Sequence, residues 1–154
     1  NSSMDYQDYT YKIFNKKYHG PLFHANVLVE GKYKLALVNE RHDYEDGGKE
    51  ILEVVGPLCG TFKINSEFGP LLCYKNMAFF YKSYSSKSEA DWYIRQCSDG
   101  TYKIINKETR QALYCDDAKD ERGNRDVWMG PRPNDENDGS DRWIFQLTLY
   151  KQNY

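Results

Sequence analysis

Long hydrophobic runs are missing from this 154-residue sequence, and so is an excess of charge of one sign. No stretch of about 18 apolar residues is available to cross a bilayer. The first ten residues, NSSMDYQDYT, are polar and unlike a signal peptide. Lysine and arginine number 21 against 23 acidic residues, a net charge of -2. The chain is therefore predicted to be a soluble, mature protein that neither inserts into membranes nor binds nucleic acid.

Cysteine and histidine are scarce, at four and three residues. The sequence contains no C-x-x-C pair and no second histidine at ligand spacing, so it predicts no zinc or other metal site. It also lacks a G-x-S-x-G nucleophile context near its histidines. We therefore expect neither enzymatic activity nor a cofactor. The histidines are His19, His24 and His42.

Aromatic residues, by contrast, make up 16% of the chain, and 14 of them are tyrosines. Together with short apolar runs, this composition favours strands. One motif, in which an aromatic residue and an isoleucine flank a lysine, occurs at residues 11–15, 62–65 and 102–106. Period-2 alternation places the two apolar side chains on one face and the lysine on the other. Each copy therefore predicts a half-buried strand.

Further strands follow each copy of the motif in the same order. Second strands begin near residues 22, 71 and 112, and two of them follow a Gly-Pro turn. Third strands are predicted at 33–38, 77–82 and 126–129, and fourth strands at 51–55, 92–95 and 143–147. A propeller needs at least four blades, and only three units are present. The predicted fold is an all-β β-trefoil, with twelve strands in three pseudo-symmetric four-strand units that form a six-stranded barrel capped by three hairpins.

This prediction divides the chain into a single domain and two short tails. The β-trefoil domain covers residues 11–148, with units at about 11–60, 61–100 and 101–148. Residues 1–10 are predicted to be a flexible N-terminal tail, and residues 149–154 a C-terminal tail.

The four cysteines fall at corresponding places in the second and third units. Cys59 precedes the first strand of unit two and Cys73 ends its second strand, and Cys97 and Cys115 occupy the corresponding places in unit three. We therefore predict one disulfide per hairpin, although two other connectivities remain open. Two disulfides imply an oxidising, extracellular compartment, so the protein is predicted to be secreted.

The units resemble those of ricin B-chain-type lectins over nearly all of residues 11–148. The resemblance is carried by the closing strands that begin at Trp92 and Trp143 and by the Cys-x-Asp step from Cys115 to Asp117. The sequence also resembles the cysteine- and tryptophan-rich salivary proteins of blood-feeding mosquitoes. Both resemblances imply a β-trefoil, and the second implies secretion. The first also implies a sugar pocket, formed by an aspartate after the hairpin cysteine, an aromatic on the next strand, and polar groups before the closing tryptophan.

Only unit three matches this pocket pattern residue by residue. A carboxylate that accepts from sugar hydroxyls, beside an aromatic face for the C–H surface, is the physical minimum for such a site. Unit three has both, although Asp141 and Arg142 precede its tryptophan where the lectins have Gln-x-Trp. The candidate sugar-binding residues are Asp117, Asp126, Trp128, Asn137 and Asp141.

The three tryptophans carry different predictions. Trp92 and Trp143 open closing strands and are predicted to be core residues. Trp128 has an aspartate two residues before it and Gly130 two residues after it, so the sequence leaves it open between a binding platform and core packing.

The predicted function is a monomeric, secreted, lectin-like protein that binds a carbohydrate or glycoprotein weakly, of salivary type and acting at a host interface. The alternative is a protein-protein interaction module that blocks a host protease or clotting factor. Its reactive element would be the loop at residues 39–49, with Arg41 as the specificity residue. The fold by itself does not decide between these functions.

Overall fold

The computed structural model describes residues 9–40, 47–58, 60–83, 88–130 and 138–148. These residues form twelve strands and two short 3₁₀ turns, Gly47–Glu50 and Ser88–Ala90, with no α-helix among them. No helix in these ranges is long and apolar enough to span a membrane. The predicted all-β class is confirmed. The strands are β1 (Tyr9–Asn15), β2 (Leu22–Val29), β3 (Tyr33–Asn39), β4 (Leu52–Leu58), β5 (Thr61–Asn65), β6 (Leu71–Tyr74), β7 (Met77–Tyr81), β8 (Trp92–Gln96), β9 (Tyr102–Asn106), β10 (Leu113–Cys115), β11 (Asn124–Met129) and β12 (Trp143–Leu147).

Six strands close a barrel, and the other six form a sheet that we call the cap sheet. The barrel order is β1-β12-β9-β8-β5-β4, with antiparallel pairing throughout. The cap sheet runs β10-β11-β3-β7-β6, and β2 pairs with β3. Its three hairpins are β2–β3, β6–β7 and β10–β11. A closed six-stranded barrel with hairpins attached is the architecture that the repeat predicted.

The core is filled by the apolar positions of the repeated motif. Ile13, Ile64 and Ile104 are fully buried. The indole N–H of Trp92 donates to the backbone oxygen of Leu71 at 2.9 Å. The N–H of Trp143 donates to the backbone oxygen of Leu113 at 3.0 Å. Both tryptophans are fully buried, so the prediction that they are core residues is confirmed.

The lysine of the second motif differs from the prediction. Alternation placed it on the solvent face, but Lys63 is only 7% exposed. Its Nζ lies 2.7 Å from Asp91 Oδ1. Burial of a lysine is tolerated when a carboxylate pairs with it, and Asp91 supplies that partner. The corresponding Lys12 and Lys103 remain partly exposed.

The turn after the first strand is closed in the same way in all three units. The side-chain oxygens of Asn15 and Asn106 accept hydrogen bonds from backbone N–H groups two and three residues later. In the second copy Ser66 makes these contacts, and not Asn65, with which the second motif ends. Serine and asparagine both form such turns, so the turn is kept although the residue changes.

The first strand begins earlier than predicted. β1 starts at Tyr9, which pairs with Val54 of β4. The backbone oxygen of Thr10 accepts from the N–H of Thr148 at 3.0 Å. Two residues assigned to the tail therefore belong to the barrel. Residues 1–8 and 149–154 lie outside the described ranges.

The structure does not contain the predicted disulfide between Cys97 and Cys115. Both are free thiols, as is Cys73, while Cys59 lies outside the described residues. Backbone hydrogen bonds hold the two cysteines in different parts of the fold. The N–H of Cys97 donates to Thr101 in the β8–β9 turn, whereas the N–H of Cys115 donates to Ser140, just before β12. Burial raises the pKa of the Cys115 thiol well above its ordinary value.

One buried histidine makes stability depend on pH. His24 is 2% exposed, and its Nε2 has no hydrogen-bond partner in the described part of the chain. The nearest carboxylate oxygen, Oε2 of Glu67, is 3.8 Å from Nε2. Burial lowers the pKa of His24 below its ordinary 6.5, and the charges of Lys34 and Lys49 lower it further.

Because this pKa is lower in the folded state, the unfolded chain binds the extra proton in acid. The free energy of unfolding is therefore expected to fall as the pH drops through about 6.5, the unfolded value. Denaturant titrations at several pH values should show a shallower fall for His24→Gln. The matched control is His19→Asn, because His19 is exposed and asparagine tolerates its positive φ. Equal slopes for the wild type and His24→Gln would contradict this assignment.

Candidate functional site

The solvent-facing side of β11 brings two of the candidate residues together. Along this strand Arg125, Val127 and Met129 are buried, while Asp126 and Trp128 alternate with them and are half-buried. Side chains two residues apart in a strand share a face. Asp126 and Trp128 therefore lie side by side on the outer face of the cap sheet.

Trp128 has neighbours on both adjacent strands. It lies opposite Tyr114 of β10 and opposite Met77 of β7. Both neighbours are half-buried, and Trp128 is not among the buried core residues. Trp128 is itself half-buried, so part of its surface meets solvent. This placement favours a platform over core packing.

Asp126 presents an acceptor beside this indole. No described residue donates a hydrogen bond to its carboxylate, and the strand register places it opposite Leu37. Burial raises its pKa, and the negative charges of Asp116 and Asp120 raise it further. A half-buried carboxylate without a donor has unsatisfied acceptor capacity, which a ligand hydroxyl can fill.

Asp117 lies elsewhere. Its carboxylate accepts from the Tyr18 hydroxyl and lies 3.3 Å from Lys17 Nζ, and these contacts lower its pKa. Arg125, on the buried face of β11, donates to the backbone oxygen of Asp117. The Arg125 guanidinium also lies 3.7 Å from the centre of the Tyr18 ring. The structure therefore groups Asp117 with Tyr18 and Arg125, and not with Trp128.

The acid beside Asp126 is instead Asp116, which sequence reasoning missed. Its backbone N–H donates to the backbone oxygen of Asp126 at 2.9 Å. Alternation along β10 would have indicated it. Cys115 is buried, so the residue after it continues the outward face of Tyr114.

Asp141 does not join this face. Asp141 lies 3.7 Å from Lys103 Nζ and 3.9 Å from Arg142 Nε, beside the barrel strands. It therefore belongs to a barrel ion-pair cluster. Asn137 lies outside the described residues.

A cavity of about 390 Å³ opens along the same sheet. Its floor includes Phe23 and Leu37, and its rim includes polar groups of Asn39, Asp120 and Asn124. The Asn39 amide donates to Asn124 Oδ1 at 2.8 Å. Because Leu37 pairs with Asp126, the cavity adjoins the Asp126 and Trp128 face. Apolar floors with a few polar groups are typical of small-ligand sites.

The barrel, the cap hairpins and this acidic-aromatic face define a β-trefoil protein with a candidate ligand face on its cap sheet. No protein-family model and no curated protein matches the sequence. Solved structures do match, and those that follow are β-trefoil proteins of similar length.

The designed 3-fold symmetric protein ThreeFoil aligns with a TM-score of 0.72 at 17% identity, over 89% of this chain and 97% of its own. SeviL, solved with asialo-GM1 saccharide bound, aligns with a TM-score of 0.65 at 16% identity, over 90% of this chain and 96% of its own. A Culex salivary protein of the Cysteine and Tryptophan-Rich (CWRC) family aligns with a TM-score of 0.69 at 13% identity, over 94% and 96%. The predicted resemblance is confirmed for the fold.

Proposed function

We propose that this protein is a secreted, lectin-like binding protein that binds a carbohydrate or glycoconjugate weakly through Trp128 and Asp126. One observation carries the proposal: a carboxylate without a described donor shares a strand face with a solvent-facing indole. Sugars offer hydroxyl donors around an apolar C–H surface, and these two groups complement them. The proposal includes no catalytic step, metal or cofactor, and the protein acts as a monomer.

Two of the structural neighbours support parts of this proposal. SeviL has a saccharide bound, and the Culex protein is salivary. The first supports a glycan as ligand. The second supports secretion and a role at the host interface.

We also infer that the twelve strands form three equivalent four-strand units. Trp92 and Trp143 make the same contact with the backbone of a hairpin strand. Isolated bridges pair Phe14 with Pro21, Asn65 with Pro70 and Ile105 with Ala112 after each first strand. The bridges recur in all three units and the tryptophan contact recurs in the second and third, which supports equivalent units.

The protease-blocking alternative depends on a loop that is largely outside the described residues. Arg41, its proposed specificity residue, lies in the undescribed segment 41–46. The observations on the cap sheet favour the glycan-binding proposal.

A glycan array followed by titration with the strongest neutral glycan tests the site. Trp128→Ala is expected to weaken binding about tenfold or more, because it removes the stacking surface. Asp126→Asn is expected to weaken binding by a similar factor, because a charged acceptor is lost. The matched control is Asp117→Asn, which changes an aspartate of the Tyr18 group and is expected to bind as the wild type does.

Thermal unfolding of each variant shows that the fold is kept. If no neutral glycan binds at millimolar concentration, or if Trp128→Ala and Asp126→Asn bind as tightly as the wild type, the proposal is wrong. Loss of binding in Asp117→Asn alone would move the site to the Tyr18 side of β11.

A further inference from the structure

A second surface lies on the outside of the barrel, along strands β8 and β9. Tyr93 lies opposite Ile105, and Arg95 lies opposite Lys103. These four side chains alternate with buried Trp92 and Ile104, so they share the outward face. A groove of about 710 Å³ runs along it, and its lining includes Tyr93, Arg95, Ile105 and Arg110. We call this surface the barrel groove.

The barrel groove concentrates positive charge although the whole chain carries a net charge of -2. No acidic residue is among the groove's described lining residues. Arg95 and Lys103 face each other across the ladder, an arrangement of like charges that destabilises a sheet unless an anion offsets it. Asp141 lies 3.7 Å from Lys103, whereas no described carboxylate pairs with Arg95 or Arg110.

An apolar platform lies between the two arginines. The Arg110 guanidinium carbon lies over the Tyr93 ring, 5.6 Å from its centre, and this cation–π contact holds the charge at the ring. Tyr93 and Ile105 are half-buried and so present part of their surface to solvent. Arginine matches sulfate and carboxylate with two parallel N–H donors, and an aromatic ring stacks on a sugar's C–H face.

We propose that the barrel groove is a separate site for an anionic saccharide. Arg95 and Arg110 hold its sulfate or carboxylate group, and Tyr93 and Ile105 carry its ring. This inference deepens the proposed glycan-binding function by naming the ligand class. It places that ligand on the barrel, whereas Trp128 and Asp126 lie on the cap sheet.

The test uses the full chain and a heparin-derived sulfated hexasaccharide, titrated at physiological salt. Arg95→Gln and Arg110→Gln are each expected to weaken binding about tenfold, because each removes a charge-assisted contact. The desulfated hexasaccharide is expected to bind at least about tenfold more weakly than the sulfated one. Lys82→Gln is the matched control, because it removes an exposed positive charge from the end of β7. It should bind within about twofold of the wild type.

The two proposed glycan sites can be tested independently of each other. Trp128→Ala should leave binding of the sulfated hexasaccharide unchanged, and Arg95→Gln should leave binding of a neutral glycan unchanged. If the sulfated sugar binds at the groove but no neutral glycan binds, only the Trp128 assignment is wrong. Three results would overturn the groove proposal: no binding of the sulfated sugar, binding as tight as that of the wild type by both arginine variants, or an affinity for an oligonucleotide of matched charge equal to that for the sulfated sugar.

Discussion

Trp143→Ala is expected to lower the free energy of unfolding by about 3 to 5 kcal/mol. The side chain is fully buried, so truncation leaves a cavity among the barrel residues around it. It also removes the hydrogen bond that the indole N–H donates to the backbone oxygen of Leu113 at 3.0 Å. The Leu113 carbonyl would then be left without that donor. Since small domains are stable by only about 5 to 15 kcal/mol, this loss is a large share of the total.

Denaturant unfolding followed by circular dichroism measures this change. Trp143→Phe keeps most of the volume and is expected to cost about 1 to 2 kcal/mol, because it loses mainly the hydrogen bond. Trp128→Ala is the matched tryptophan control, since Trp128 is half-buried and outside the core. A loss at position 143 no larger than at position 128 would show that the indole does not support the barrel.

Gly69→Ala is expected to destabilise the protein by roughly 3 to 5 kcal/mol, as the sum of overpacking and backbone strain. A Cβ at this position would overlap the backbone carbonyl oxygen of Tyr81. Gly69 also has a φ of 150°, a conformation that residues with a Cβ rarely adopt. The clash involves backbone on both sides, so no side-chain rotation relieves it.

Gly100→Ala separates the cost of backbone strain from the cost of overpacking. Gly100 has a φ of 88°, and a Cβ there would meet nothing within 4 Å. Only strain applies, so the expected cost is about 1 kcal/mol. Thermal unfolding of both variants decides the matter. Similar losses at the two positions would mean that the close approach of Gly69 to Tyr81 does not constrain the fold.

The stability-determining residues and the candidate binding residues occupy opposite faces of the same strands. In β11, Val127 and Met129 belong to the core, while Asp126 and Trp128 face outward. Substitutions on the outer face should therefore change binding more than folding. This separation makes the Asp126 and Trp128 variants informative about ligand binding.

Period-2 alternation predicted much of this molecule because burial in a strand follows that period directly. Ile13, Ile64 and Ile104 were identified as inward residues from sequence, and all three are fully buried. Alternation wrongly predicted that Lys63 faces solvent. Its partner Asp91 directly precedes β8, 28 residues later in the chain. A partner that far along the chain leaves no local signal.

The candidate site was predicted only in part for the same reason. Asp126 and Trp128 are two residues apart, so their shared face follows from the sequence itself. Asp117 is separated from Tyr18 by 99 residues, and its carboxylate accepts a hydrogen bond from the Tyr18 hydroxyl. This contact groups Asp117 with Tyr18 and not with Trp128. The cysteine positions suggested a Cys97–Cys115 pair, but both are free thiols in the structure.

The amino-acid sequence alone determined the strand content, the inward residues and the triplicate motif, because these depend on short-range periodicity. Only the tertiary structure decided which side chains meet: Asp117 with Tyr18, Lys63 with Asp91, and Arg95 opposite Lys103. Such meetings depend on strand register and barrel closure, which bring distant segments together and cannot be read from spacing along the chain.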